Sequence, residues 1–279
     1  MKIAVTSVSG QLGGAIIKQL ISELDSDKLV GIARSPSKVE DLGIEIRKGD
    51  YNSFDDFKNA LFDVDRLLFV SGMDHPDKRI EQHRNIIRAA KKCGVKKIVY
   101  TSIVGREDTD FGAIVKSNRS TEEDVRNSGL DWTIGRNGIY IEPDLEYIDH
   151  YKKDGGIINC AGEGKCGYTS RTELAYAYSK MLQEDKHNGH TYNLVGRAIT
   201  QQELTDHINR AFGTELTFKS ISVEDYIKER QEALGEFLGS IIGGIYDGIS
   251  LGYFDVESHF EQATSRKHKS VEEMIGEFK

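Results

Sequence analysis

Cysteine is scarce in this chain. Its 279 residues include only Cys93, Cys160 and Cys166, an odd number with no C-x-x-C pair. That excludes a disulfide framework and a cysteine zinc site, and leaves small, mostly buried thiols. Positive charge is also in deficit: 37 Lys and Arg stand against 45 Asp and Glu, a net charge of −8, whereas a general nucleic-acid binder needs a basic face. No apolar run approaches the roughly 20 residues that span a membrane. Met1 and Lys2 lead straight into an apolar segment rather than a signal peptide, so a cytoplasmic protein is expected. The histidines show no ligand spacing, His187-Asn188-Gly189-His190 reads as a loop, and no metal is expected. Internal repeats and low-complexity linkers are missing too.

What is present is an alternation of short apolar runs and amphipathic segments. Residues 3–5 predict a strand, and residues 11–24 a helix that buries Ile16, Ile17, Leu20 and Leu24. Between them Ser7, Gly10 and Gly13 occupy a G-x-x-G-x-x-G spacing whose first position is serine. A strand, a tight turn and a helix start make an anion site. The first N–H groups of a helix lack intrahelical partners, and its dipole favours negative charge there. Glycine lets phosphates approach the backbone; the Ser7 Cβ restricts the turn, while its hydroxyl offers a hydrogen bond.

Further strands are predicted at 29–33, 44–47, 66–70, 95–100 and 132–135, with helices from Ser53, from about 77 to 93 and from about 113 to 127 between them. This order implies right-handed crossovers and a doubly wound parallel sheet of the α/β class. Ligands then bind beyond the carboxyl ends of the strands. The segments at Ser7, Arg34, Ser71-Gly72 and Thr101-Ser102 all lie there and read as one site. Arg34 stands where an acidic residue would bond the ribose 2′-hydroxyl of NAD. A guanidinium suits the 2′-phosphate of NADP instead, with Lys38 near enough to assist. Asp50 and Tyr51 fall where a third-strand loop flanks adenine, one by hydrogen bonding and one by stacking.

Residues 1–155 are expected to form the NAD(P)-binding domain, and 156–279 a smaller α+β lid region interleaved with it. Short strands are predicted near 155–160 and 190–195, and capping boxes start helices at Ser170-x-x-Glu173, Thr200-x-x-Glu203 and Ser270-x-x-Glu273. Residues 222–250 read as helical but contain Gly235, Gly239, Gly243 and Gly244, which predicts a mobile or broken pair. Tyr140, Tyr147, Tyr151, Tyr246 and Phe254 either wall an aromatic pocket or belong to the core.

One constellation is absent. Short-chain dehydrogenases and sugar-nucleotide epimerases move a proton with a tyrosine and a lysine four residues later, in the helix after the fifth strand. No tyrosine occurs between Tyr100 and Tyr140, and Phe111, the aromatic nearest the place, cannot titrate. Lys116 alone reads first as a solvated helix residue.

The order Thr6-Ser7-Val8-Ser9-Gly10-Gln11-Leu12-Gly13, Ala33-Arg34-Ser35-Pro36, Gly49-Asp50-Tyr51, Gln82-His83-Arg84-Asn85, Tyr100-Thr101-Ser102 and Arg136-Asn137-Gly138 resembles the NmrA-like atypical short-chain dehydrogenases. Within them it is most similar to the NADPH quinone oxidoreductase and triphenylmethane reductase branch. The likeness continues through Gly162-Glu163-Gly164-Lys165, Thr191-Tyr192-Asn193-Leu194-Val195 and Ile245-Tyr246-Asp247, nearly the whole chain. It implies that Gly10, Gln11, Leu12 and Gly13, beside Thr6 and Ser7, hold the pyrophosphate, and Arg34 the 2′-phosphate. Asp50 and Tyr51 would lie near adenine, Ser71, Gly72, Thr101 and Ser102 along the ribose and nicotinamide, and Asn137 and Gly138 on the nicotinamide side. The chain departs from the family at Ser7, usually glycine, and at Asn118, where close relatives often have histidine. Lys116, Asn118 and Tyr140 are the candidates for catalytic work.

The activity so implied is NADPH-dependent reduction of a planar, electron-poor acceptor such as a quinone or aromatic dye. Hydride is transferred directly and the proton comes from water, without a Tyr-x-x-x-Lys pair. Because the family also holds redox-sensing regulators, an NADP-sensing protein with a protein partner is the alternative, and a nucleoside-diphosphate-sugar epimerase a more remote one.

Overall fold

The computed structural model of the protein describes residues 1–39, 41–105 and 112–279; Phe111 lies outside them. The first half runs β1 (Ile3–Thr6), α1 (Gln11–Glu23), β2 (Leu29–Ala33), β3 (Glu45–Lys48), α2 (Phe54–Ala60), β4 (Arg66–Phe69), α3 (Pro76–Cys93), β5 (Lys97–Ile103), α4 (Gly112–Arg126) and β6 (Asp131–Asn137). The second continues with β7 (Ile139–Tyr140), α5 (Glu142–Glu146), α6 (Ile148–Asp154), β8 (Gly156–Asn159), β9 (Lys165–Thr169), α7 (Arg171–Gln183), β10 (His190–Leu194) and β11 (Ala198–Thr200). It ends with α8 (Gln201–Phe212), β12 (Thr217–Ser220), α9 (Val223–Leu234), α10 (Glu236–Ser250), α11 (Phe260–Thr264) and α12 (Val271–Phe278).

Among the described residues seven strands form one parallel sheet, ordered β10-β6-β5-β4-β1-β2-β3. The chain winds outward from β1 through β2 to β3, then crosses back to β4 on the other side. The switch point, where ligands of such sheets bind, is therefore between β1 and β4. β1 and β2 are buried throughout because both faces are covered. Ile16, Ile17 and Leu20 of α1 pack with Ala177, Tyr178 and Met181 of α7 on one face; Phe57, Ile86 and Ala90 cover the other. β3, at the edge, is charged and partly exposed, a composition that discourages pairing with another chain.

Three details go beyond the expectations. β5 and β6 run on to Ile103 and Asn137, with Thr101 opposite Gly135 and Ser102 opposite Arg136, so Thr101, Ser102 and Asn137 are strand residues rather than turn residues. β10 lies inside the stretch expected as a lid region interleaved with the first domain, and it pairs with β6 to complete the large sheet. In the glycine-rich stretch the helix breaks only at Gly235, whose φ is 84°. Gly239 and Gly243 lie inside α10 and close the pair: a Cβ would stand 2.4 Å from the Gln231 nitrogen at the first and 2.5 Å from Ile227 Cγ1 at the second. These glycines allow two helices to touch; they do not loosen them.

The small sheets β11-β9-β7 and β12-β8 and the remaining helices surround a second core. Tyr151, Tyr168, Tyr246 and Phe254 belong to it, whereas Tyr147 is exposed. Asp144 of α5 is buried among them. The Tyr151 hydroxyl donates to its Oδ1 at 2.7 Å, and Tyr168 and Tyr246 also hydrogen-bond the carboxyl. Burial outweighs these phenols and pushes the Asp144 carboxyl up to about 6.

Candidate functional site

The β1–α1 turn is the centre of the site. Ser7 has φ 57°, the left-handed conformation that makes glycine the usual choice there. Its hydroxyl lies 2.9 Å from Tyr51 Oη, and Thr6 Oγ1 lies 2.7 Å from the same atom. Tyr51 gives its proton to the Val70 carbonyl at 2.5 Å, so its oxygen accepts from both Thr6 and Ser7. Thr6 Oγ1 in turn accepts the Val70 N–H at 2.9 Å. Four residues thus tie β1 to the end of β4 across the switch point, and the Ser7 hydroxyl serves this bond instead of standing free for phosphate. Gly13 meets the turn so closely that a Cβ would lie 2.3 Å from the Ser7 carbonyl oxygen. α1 has no side-chain cap and no acidic residue in its first turn, and Gly10 and Gln11 at its start are exposed while Leu12 is buried. Its open N–H groups form a cradle for an anion.

At the end of β2, Arg34 is exposed, and Lys38 follows in a short turn over Pro36–Lys38. Neither side chain has a hydrogen-bond or ion-pair partner among the described residues. Asp50 is half-buried and occupied within its own turn: Oδ1 accepts the Asn52 backbone N–H and the Asn52 amide, each at 2.9 Å, and shapes the entry to α2. The Tyr51 ring packs edge-on against Phe57, Phe69 and His83, with centroids 5.5, 5.9 and 6.3 Å away.

Beyond β4 the Ser71 N–H donates to Thr101 Oγ1 at 2.9 Å and the Gly72 N–H to His83 Nε2 at 3.0 Å. His83 Nδ1 therefore carries the ring proton and gives it to Thr121 Oγ1 at 2.8 Å. Burial, with the Arg79 charge second, holds this imidazole down to about 3, so it stays a neutral acceptor. Arg79 is itself buried. It donates to Asn118 Oδ1 at 3.3 Å, an oxygen that also accepts the Tyr100 hydroxyl at 2.7 Å, and its Nε has no partner among the described residues. The departure at Asn118 thus sits behind β5 and not on the surface. Lys116, two residues before it, is exposed.

Ser102 is held by a cluster that the sequence does not announce. Its hydroxyl donates to Glu122 Oε1 at 2.7 Å, and the same carboxylate accepts from Arg119, Arg126 and Arg136. Burial alone would push the Glu122 carboxyl up; Arg136, Arg119 and Ser102 together hold it below its usual range. The Arg119-x-x-Glu122-x-x-x-Arg126 spacing on one face of α4 is the available signal. At the end of β6, Asn137 bonds Tyr178 and Tyr140, and a Cβ on Gly138 would stand 2.5 Å from the Gly167 carbonyl oxygen. Among the described residues no group of His, Cys, Asp and Glu side chains converges on a metal site, and no helix is long and apolar enough to cross a membrane.

The NAD(P)H-binding family matches residues 8–185. Quinone oxidoreductase 2 of Escherichia coli is 32% identical over 259 residues, 88% of this chain and 90% of that protein. The structure of the Citrobacter sp. triphenylmethane reductase complexed with NADP(H) has a TM-score of 0.92 at 30% identity, covering 99% of each chain. That of the Escherichia coli NADPH-dependent quinone oxidoreductase complexed with NADPH has a TM-score of 0.91 at 30% identity, again over 99% of each.

Proposed function

The chain belongs to the NAD(P)H-binding, NmrA-like family, and on that premise we propose that it is an NADPH-dependent oxidoreductase whose acceptor is a planar, electron-poor molecule such as a quinone or an aromatic dye. Its cofactor is NADP(H). The residues present fit that group. The uncapped start of α1, with Gly10 and Gly13 admitting close approach, would hold the pyrophosphate. Arg34 and Lys38, both exposed and unpaired among the described residues, would hold the 2′-phosphate. That pair of free cations beyond β2 is the observation that carries the reading. Bound NADPH supplies a hydride. The chain's own part is to fix Ser71 and Gly72 through Thr101 and His83, and Ser102 through Glu122, so that cofactor and acceptor meet in one orientation. α4 carries no tyrosine, so the proton is assigned to water. A sensor without turnover has less support, because relatives matched over most of the chain carry reductase names.

Titration with NADPH and NADH tests this reading. Arg34→Ala should remove about 2 kcal/mol of charge-assisted bonding to the 2′-phosphate, lowering the preference for NADPH roughly thirtyfold and leaving NADH affinity unchanged. NADPH binding with no oxidation across a panel of quinones and dyes would sink the reductase proposal.

A further inference from the structure

The end of β6 carries a hydrogen-bond chain whose polarity the distances decide. Tyr178 Oη lies 2.5 Å from Asn137 Oδ1 and 3.0 Å from the Gly135 carbonyl oxygen, and Asn137 Nδ2 lies 3.0 Å from Tyr140 Oη. Turning the amide over would reverse the chain: Nδ2 would donate to Tyr178, and Tyr140 would donate to Oδ1. A separation of 2.5 Å belongs to an O–H···O bond and is too short for N–H···O, whereas 3.0 Å is the ordinary N–H···O length. Asn137 therefore accepts the Tyr178 proton and gives its own N–H to Tyr140. The Tyr140 phenol keeps a proton that meets no acceptor among the described residues.

Charges of both signs lie near the phenol, Arg171 favouring its ionised form and Glu142 opposing it. The Arg171 guanidinium lies 5.8 Å from the Tyr140 ring centroid. Tyr140 lies in β7, directly after the carboxyl end of β6, and packs against the cluster that includes Tyr178. Burial, offset in part by Asn137, pushes the phenol up to about 12, so it is a donor and not a base near neutral pH.

We propose that the Tyr140 hydroxyl donates a hydrogen bond to a ligand carbonyl oxygen, with Asn137 and Tyr178 as the positioning residues that aim it. The proposal rests on the reductase reading and deepens it. The carbonyl has two sources, a quinone acceptor or the carboxamide of the nicotinamide. With a quinone, the acceptor takes up a hydride from NADPH, which leaves as NADP+, and one proton from water, becoming the hydroquinone; Tyr140 keeps its own proton throughout.

The test compares wild type, Tyr140→Phe and Asn137→Asp, the last because a carboxylate cannot donate to Tyr140 and instead captures its proton. Calorimetry measures affinity for NADPH, for 2′-phosphoadenosine diphosphoribose, which lacks the nicotinamide, and for a naphthoquinone on the NADP+ complex. Turnover is measured with the naphthoquinone and with a triarylmethane dye, which accepts hydride at carbon and has no carbonyl. If the acceptor is the source, both variants lose roughly tenfold more in kcat/KM with the quinone than with the dye, and lose quinone affinity to the same extent. If the nicotinamide is the source, both lose NADPH affinity and slow with both acceptors, while affinity for the nicotinamide-free fragment holds. Unchanged behaviour in Tyr140→Phe overturns the proposal, as does an equal loss of affinity for all three ligands. A wild type that binds NADPH and the naphthoquinone without turnover sinks only the reductase reading, and calorimetry still decides about Tyr140. A wild type that binds neither overturns both.

Discussion

Replacing Asp144 with asparagine should make the protein more stable than wild type in mildly alkaline solution and no more stable in acid. The Asp144 carboxyl is buried and, among the described residues, is met only by phenol hydroxyls with no cation beside it. Its folded value is about 6 against an ordinary 3.8. Below the ordinary value it is protonated whether the chain is folded or not, and contributes nothing. As pH rises toward 6, the unfolded chain releases a proton that the folded one retains, and above 6 the folded state carries a buried charge. Stability from this group therefore falls through that window and stays lost above it. At about 1.36 kcal/mol per pH unit the cost is ~3 kcal/mol. Asparagine keeps the shape and removes the charge. Because its amide must find acceptors among the same phenols, the net gain expected near pH 8 is about 1–3 kcal/mol, or roughly 2–6 °C in Tm. Urea unfolding at about pH 8 and about pH 4.5 measures it. An asparagine variant less stable than wild type at the higher pH, with the wild-type pH profile, would show that the phenols stabilise the carboxylate by more than burial opposes it, and would refute the reasoning.

Four other substitutions, at three positions, follow from the site. Ser7→Gly relieves a left-handed backbone worth about 1–2 kcal/mol and loses a hydrogen bond worth about 1 kcal/mol, so thermal melts should show little change; Ser7→Ala keeps the strain, loses the bond, and should be destabilised by about 1 kcal/mol. Gly13→Ala drives a Cβ against the Ser7 carbonyl, where only backbone can give way; a loss of more than about 2 kcal/mol together with NADPH affinity is expected, and NADPH titration at wild-type strength would contradict it. Glu122→Gln leaves three arginines facing a neutral amide and should cost about 3–5 kcal/mol by denaturant unfolding.

The sheet was legible wherever one residue's neighbours in sequence are also its neighbours in space. Ile16, Ile17 and Leu20 recur at helical spacing, and Ile3 to Val5 and Leu67 to Val70 are apolar because both faces are covered. Legibility ended where partners come from afar. Thr101 and Ser102 look like turn residues because they are polar, but their hydroxyls are occupied by the Ser71 N–H and by Glu122. Tyr51 invites a stacking role until its hydroxyl is seen to bridge β1 and β4. Asn137 and Tyr178 stand 41 positions apart, and no local pattern links them. Gly239 and Gly243 imply weakness in a lone helix and acquire their meaning only from α9.

The sheet's outermost strand on one side, β10, joins its neighbour β6 only after β7, β8, β9 and helices α5 to α7 have been made. During synthesis the nucleotide half leaves the ribosome with a bare edge, and it cannot finish its sheet until more than fifty further residues have followed. A cut or a recombination near residue 155 would separate β6 from the strand that covers it, exposing a pairing edge of the kind that aggregates. Any exchange of the C-terminal half between relatives has to carry a β10 that still fits the edge of β6.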